Sequence, residues 1–361
     1  MTCRYLSDNI VLLDHKTFVD RIYSSYQYYD SEIKSASLRS ELFDVVVPYD
    51  VKPNEDHTKS ALKSRKRKRT DADDFDQTTL KVKESHTEFL DLFGEANKTD
   101  EISNKTALEF VDQFNRNDHY DPEAVLKGGN NSQFVVTTTV SNMHYFIPPN
   151  CRFFNSDVRN LSNLLTCDEK FDFIVLDPPW WNKYIRRTKA ANKKMGYSML
   201  DNECLKNIPL ENHIHDETIV AIWCTNSPTH TSAIEQQLCT KWNIKLVGSW
   251  YWTKITKHGQ PVCSFNESTK KQPYERLFIA VSSKYSDKDN IALEKYIYSV
   301  PCAIHSNKPP LLELFSDLLP ERPKCLELFA RNVYPNFTSI GTEVLKLQNA
   351  RLFHRSKHEV K

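Results

Sequence analysis

Phe171-Asp172-Phe173-Ile174-Val175-Leu176-Asp177-Pro178-Pro179-Trp180 occupies residues 171–180 of the chain. Its first six residues are an apolar run of strand length, the pattern of a strand covered on both faces in a parallel sheet. The strand must stop at Leu176, because Pro178 and Pro179 fix φ and remove two backbone donors. A carboxylate, a stiff turn and an indole therefore stand at the carboxyl end of a strand, where open α/β sheets bind their ligands.

Outward from this run, the chain beyond Gly129 alternates short apolar segments with polar helical ones, which predicts an α/β sheet with helices on its faces. Further strands are expected at Phe134–Thr137, Arg152–Phe154, Thr218–Trp223, Lys245–Trp252, Leu277–Val281 and Lys324–Phe329. Helices are expected over about 229–240 and 310–318. Residues 130–361 are thus read as the catalytic domain. On the amino-terminal side, residues 1–51 mix aromatic and apolar residues and are read as a small N-terminal unit. Residues 88–129 are read as a helical segment ending near Gly128-Gly129. Between them, residues 52–87 are rich in charge and poor in apolar surface, the composition of a disordered linker.

That linker carries Lys63-Ser64-Arg65-Lys66-Arg67-Lys68-Arg69, a basic run that reads as a nuclear import signal and gives the nucleus as the expected location, with the cytosol second. The net charge of the 361-residue chain is only +1, so a polyanionic partner must be met by local basic clusters. Nine cysteines without metal-like spacing read as free thiols, and no metal site is expected. No apolar stretch approaches the ~20 residues that span a bilayer, so no membrane partner is expected.

The turn itself suits one kind of chemistry. An exocyclic amine such as N6 of adenine is a poor nucleophile because its lone pair is delocalised into the ring. The Asp177 carboxylate and the Pro178 carbonyl can each accept one amine hydrogen, which localises that lone pair. Trp180 offers a face on which an unstacked base can lie. The chain has seven glycines, and none forms the Gly-x-Gly-x-Gly turn that usually seats an adenosyl cofactor. These residues alone leave the cofactor open.

In its ordered motifs the chain resembles the adenine-N6 methyltransferase family that contains the catalytic subunit of the mRNA adenosine methyltransferase, and within it the methyltransferase-like protein four branch. The motifs are Phe171–Trp180, Trp223-Cys224-Thr225-Asn226, Trp250–Thr256, Lys271-Gln272-Pro273-Tyr274-Glu275, Ser299-Val300-Pro301-Cys302, His305-Ser306-Asn307-Lys308-Pro309-Pro310 and Leu326-Glu327-Leu328-Phe329-Ala330-Arg331-Asn332, covering about 150–347. The resemblance implies a Rossmann-like class I methyltransferase sheet, circularly permuted, which would account for the missing glycine turn. It implies S-adenosyl-L-methionine as cofactor, with Asp157 and Val158 near its adenine, Lys308 at its methionine carboxylate, and Arg331, Asn332 and Glu343 at its ribose. Asp177, Pro178, Pro179 and Trp180 would form the catalytic element, with Asp177 also bordering the cofactor.

The expected partner is nucleic acid, RNA favoured over DNA, and an adenosine already 2′-O-methylated in a small nuclear RNA is the substrate that the branch suggests. A DNA adenine methyltransferase is the alternative, followed by a catalytically inactive nucleic-acid-binding relative. The loop after the turn holds Asn182, Lys183, Arg186, Arg187, Lys189, Lys193 and Lys194. Asn182, Arg186 and Arg187 are assigned with Trp180 to substrate binding, the arginines as part of a phosphate-binding flap.

Overall fold

The computed structural model describes residues 2–30, 32–49, 76–94, 103–117, 120, 126–180, 202–266, 271–286 and 290–357. In chain order the strands and long helices are β1 (Cys3–Tyr5), β2 (Ile10–Leu13), α1 (His15–Ser25), β3 (Ile33–Leu38), α2 (Gln77–Phe93), α3 (Lys105–Asn117), β4 (Leu126–Asn130), β5 (Val136–Val140), β6 (Met143–Ile147), β7 (Cys151–Asn155) and β8 (Phe171–Leu176). There follow β9 (Ile214–Cys224), β10 (Ile244–Lys254), β11 (Tyr274–Ser282), β12 (Glu294–Ser299), β13 (Cys325–Leu328), β14 (Phe337–Ile340) and β15 (Phe353–Lys357). No described helix is long and apolar enough to cross a membrane.

Eleven strands form one sheet in the order β1-β2-β12-β10-β11-β9-β8-β13-β14-β7-β4. From β9 to β7 every neighbouring pair is parallel, whereas β11 runs antiparallel to both β9 and β10. The block β7-β14-β13-β8-β9 fills the sheet positions three, two, one, four and five of a Rossmann-like order. Along the chain, however, positions three, four and five come first, and one and two arrive last as β13 and β14. The sheet is therefore a circularly permuted Rossmann-like sheet.

Strict alternation of side chains buries both faces of this sheet. Ile174 and Leu176 point into one core with Val220, Ile222, Phe278 and Leu326, whereas Phe173 and Val175 point into the other with Trp223, Trp252, Leu277 and Phe315. The strand at 171–176 is buried as its apolar run requires. The helix expected over 229–240 occupies 228–242, with a π-helical middle at Ile234–Leu238. Only a single 3-10 turn, Leu312–Phe315, forms where a helix over 310–318 was expected. Pro309 and Pro310 there set the entry to a turn without a following amphipathic repeat.

Three expected boundaries change. Residues 1–51 pack as part of the main body, since β2 extends the sheet alongside β12 and β3 pairs with β15 at the far end of the chain. Of the expected linker, residues 52–75 lie outside the described residues, but 77–87 belong to α2, which Asp76 caps by accepting from Thr79 N at 2.7 Å. The buried stripe of α2 is partly polar, which masks its periodicity: Thr79 meets the Tyr274 hydroxyl at 2.8 Å, Ser85 the Tyr298 hydroxyl at 3.0 Å, and His86 Nε2 the Gly259 carbonyl at 2.9 Å. Finally, Gly128 and Gly129 sit within strand β4 and do not end a helix. A Cβ on Gly129 would lie 2.4 Å from the Cys151 carbonyl oxygen, so glycine permits the close pairing with β7.

Candidate active site

After β8 the chain crosses to β9 on one side, and after β13 it crosses to β14 on the other. The carboxyl ends of β8 and β13 consequently face a crevice between diverging connections, the switch point at which such sheets bind ligands. Asp177–Trp180 leave β8 there, and Phe329–Asn332 leave β13. A cleft of about 600 Å³ opens between them, lined among others by Asp177, Trp223, Lys308, Glu327, Arg331 and Asn332.

Two rim residues hold left-handed backbone without being glycine, Ser306 at φ 59° and Phe329 at φ 64°. Such conformations cost on the order of 1–3 kcal/mol and gather at ligand clamps. Gly341, just past β14, lets the next turn come close, because a Cβ there would stand 2.3 Å from the Ala330 carbonyl oxygen. Glu343 is thereby brought against Arg331.

Charge in the cleft is arranged in a chain. Lys308 Nζ lies 3.1 Å from Asp177 Oδ1 and 3.1 Å from Glu275 Oε2, and Lys254 pairs with the other oxygen of Glu275. Burial drives the Asp177 carboxyl above its usual range, with the Lys308 ammonium opposing the rise. Glu275 is likewise part-buried, but with the Lys254 and Lys308 ammonium groups beside it its carboxyl is held well below the ordinary value. Lys308, although buried, is held above its ordinary value by the two carboxylates. A second cluster joins Arg331 Nε to Glu343 Oε2 at 3.3 Å and Lys346 to Glu343 at 2.7 Å, while both terminal nitrogens of Arg331 donate to the His305 carbonyl at 2.8 Å.

Glu327 lies in β13 on the same wall. Burial and the nearby Asp177 charge push its carboxyl up to about 8, so it is protonated at neutral pH. An ordinary glutamate, at 4.5, has lost that proton in the unfolded chain. The folded state therefore binds more protons than the unfolded one between these two values, and this residue makes stability fall as pH rises across that window. Glu327→Gln is expected to remove that fall, so that its stability relative to the parent grows from about pH 5 to about pH 8. Urea unfolding at both ends of the window measures it; parallel profiles for parent and variant would refute the assignment.

The structure thus brings Asp177, Lys308, Arg331, Asn332 and Glu343 together. Asp157 and Val158 are not on the cleft wall: Asp157 caps the turn Val158–Asn160 and pairs with Arg159, and Val158 is buried in the core. Asn182, Arg186 and Arg187 lie outside the described residues. Pro178 has part of its acceptor capacity in use, since its carbonyl takes the Trp180 N–H at 2.8 Å. One lone pair remains for another donor.

Trp180 differs from the open platform expected of it. It is 6 % exposed, its Nε1 donates to the Trp223 carbonyl at 2.8 Å, and its ring stacks on His230 at 4.9 Å. The indole locks the Asp177–Trp180 turn onto the end of β9 and packs into the core beneath it. Trp180→Phe is expected to cost about 1–3 kcal/mol of stability by stranding a buried carbonyl. Denaturant unfolding measures this; unchanged stability combined with a raised substrate KM would restore the platform role.

Glu275, Glu327, Lys254 and Tyr334 were not assigned roles from sequence. A glutamate inside the apolar run Cys325–Phe329 was the available signal, because a lone charge in a doubly covered strand needs a reason to be there. Glu275 had a weaker one, being an acidic residue at the second position of strand β11.

Around the cleft Asn332 Oδ1 and Asn307 Oδ1 make no hydrogen bond among the described residues, whereas Arg331 Nε and Glu343 Oε2 face each other as the ion pair at 3.3 Å. Buried polar atoms without partners are rare and call for a ligand or water. The two free amide oxygens are acceptors and suit a ligand that carries donors such as hydroxyls or an amine.

Comparison with known proteins agrees with this architecture. Residues 171–343 match the MT-A70 family model. A mouse protein named N(6)-adenine-specific methyltransferase METTL4 is 36% identical over 236 residues, which are 62% of this chain and 48% of the mouse protein. A Caenorhabditis elegans protein named DNA N6-methyl methyltransferase is 32% identical over 59% of this chain and 56% of its own length. A Cryphonectria parasitica protein named N6-methyladenosine RNA methyltransferase MTA1 is 35% identical over 56% of this chain and 60% of its own. The matched part is thus about half the length of these relatives. It contains the Asp177–Trp180 turn, Lys308, Arg331 and Glu343, all of them within the segment 171–343 that is similar to the MT-A70 family.

Proposed function

We propose that this chain is an S-adenosyl-L-methionine-dependent methyltransferase acting on N6 of adenine in nucleic acid. The observation that carries the reading is the Asp177 carboxylate, fixed by a Pro-Pro turn at the switch-point cleft, with Lys308 3.1 Å away. When bound, the cofactor supplies an electrophilic sulfonium methyl group. Asp177 and the free lone pair of Pro178 accept the two hydrogens of the target amine and orient its lone pair. Lys308 suits the cofactor carboxylate, while Arg331, Asn332 and Glu343 suit the ribose hydroxyls with a donor and two acceptors. Trp180 holds the turn in register.

RNA adenosine is the favoured substrate, with a 2′-O-methylated adenosine of a small nuclear RNA as its specific form and DNA adenine as the alternative. The names of the relatives include both nucleic acids, as the nematode and fungal proteins illustrate. An inactive nucleic-acid-binding role is disfavoured by the intact Asp177, Lys308 and Arg331. Transfer of labelled methyl groups to matched RNA, 2′-O-methylated RNA and single-stranded DNA, followed by nucleoside identification, tests the reading. Labelled N6-methyladenine in none of the three would refute it.

Arg186 and Arg187 are proposed to contact substrate phosphates. The basic run 63–69 supports a nuclear location, with the cytosol second. Deleting it is expected to abolish nuclear accumulation of a tagged chain, as imaged in cells; undiminished accumulation would make it an ordinary charge run.

A further inference from the structure

Helix α1 lies far outside residues 171–343, yet it reaches the cleft. Asp14 caps it by accepting from Thr17 N at 2.9 Å, and His15, Val19 and Tyr23 form its buried stripe at four-residue spacing. Phe18, on the adjoining side, lines the same cleft as Asp177 and Arg331. Its ring meets Tyr334 edge-on, with centroids 5.9 Å apart and planes at 89°. Tyr334 in turn accepts a hydrogen bond on its hydroxyl from Asn332 Nδ2 at 2.9 Å.

A second connection runs through polar groups. The Tyr23 hydroxyl donates to Gln348 Oε1 at 2.5 Å, and Gln348 Nε2 donates to the Val333 carbonyl. Leu347 N donates to the Arg331 carbonyl at 2.8 Å. Tyr23 is 2 % exposed and Gln348 2 %, so no water competes for these bonds. Residues 331–334 are therefore gripped at Arg331, Val333 and Tyr334, and they carry the unpartnered Asn332 Oδ1 and the Arg331 guanidinium that faces Glu343.

We infer that α1 is a positioning element for the cofactor loop, with Tyr23 and Phe18 setting cofactor affinity from outside the family-matched span. This rests on the proposed cofactor reading. Ligand atoms must be met within about half an ångström, so a loop free to shift loses affinity before it loses the fold. Neither residue approaches the catalytic turn through any bond described above. Their effect should accordingly appear in cofactor binding and spare the methyl-transfer step.

The test uses the full chain, with calorimetric Kd for S-adenosyl-L-methionine and steady-state kinetics on a methyl-accepting oligonucleotide. Tyr23→Phe, which deletes one hydroxyl and keeps the ring, is expected to raise the cofactor Kd roughly three- to tenfold, about what one buried hydrogen bond is worth. Its kcat at saturating cofactor and its KM for the oligonucleotide should stay at parent values. Phe18→Ala should raise the same Kd, and Phe18→Leu should recover most of the loss by refilling the edge against Tyr334. Parent Kd in folded Tyr23→Phe and Phe18→Ala would overturn the inference, as would a loss confined to kcat. A parent chain that binds no cofactor would instead overturn the functional reading, and the inference with it.

Discussion

Asp177→Asn is expected to lower turnover roughly a thousandfold, the scale seen when one preorganised polar group is removed from a reacting centre, while cofactor affinity changes only a few-fold. The carboxylate offers two acceptor oxygens and no donor; the amide offers one oxygen and two N–H groups. In this cleft Lys308, 3.1 Å away, would claim the remaining oxygen. The amide N–H groups would then confront the N–H groups of the target amine. Pro178 cannot compensate, because part of its acceptor capacity already serves Trp180 N at 2.8 Å.

A pH signature separates this role from a merely structural one. The acceptor must be ionised, and burial raises the Asp177 carboxyl above the ordinary 3.8. Turnover should therefore fall on the acid side, with the fall beginning at a higher pH than an exposed aspartate would give. The residual activity of the asparagine variant should lack that limb. Single-turnover methyl transfer across the acid range measures both effects, and turnover within tenfold of the parent would remove Asp177 from its assigned role.

The parts of this protein that were legible in the sequence share a physical character. Strands β8, β9, β10, β11 and β13 are doubly covered, so their apolar runs are continuous and stand out. Strand β12, Glu-Lys-Tyr-Ile-Tyr-Ser, escaped notice because its tyrosines satisfy their hydroxyls or stack, as Tyr298 does on Phe89 at 4.0 Å. The same disguise hid the first half of α2, whose buried threonine, serine and histidine each find a partner on the sheet or the turn beside it. Buried polar pairs look like surface until both members are placed.

The site shows this division too. Asp177, Lys308, Arg331 and Asn332 were singled out by the ordered motifs, and they line one cleft. Glu275 and Glu327 were not, because an acidic letter carries no sign of its burial. The topology supplies it, by setting β11 and β13 on either side of the β8–β9 pair. Trp180 departs from its expectation for the opposite reason: an aromatic beside such a turn suggests an exposed platform, whereas the Trp223 carbonyl and the His230 ring hold it as an anchor.

Lys308→Met follows from the same burial. Its ammonium is the cation shared by Asp177 and Glu275, at 3.1 Å from each. Methionine fills similar volume without charge, which leaves two buried carboxylates with only Lys254 between them, on the far oxygen of Glu275. Removing one member of a buried ion pair typically costs about 3–5 kcal/mol, because the remaining charge is stranded. Asp177 should suffer more than Glu275, having no second cation as a direct partner. Its carboxyl, already raised by burial, should rise further once the opposing ammonium is gone. Protonation of that stranded carboxyl in the folded state offsets its desolvation, so the stability deficit should be largest at neutral pH and shrink on acidification. Urea unfolding of parent and variant across the acid-to-neutral range measures the deficit and its slope. Stability equal to the parent at neutral pH would mean that the carboxylates do not depend on Lys308. Calorimetry on the folded variant then addresses ligand binding separately: a cofactor Kd raised at least tenfold is expected if the same ammonium also meets the cofactor carboxylate, because a charge-assisted bond is worth about 1.5–3 kcal/mol.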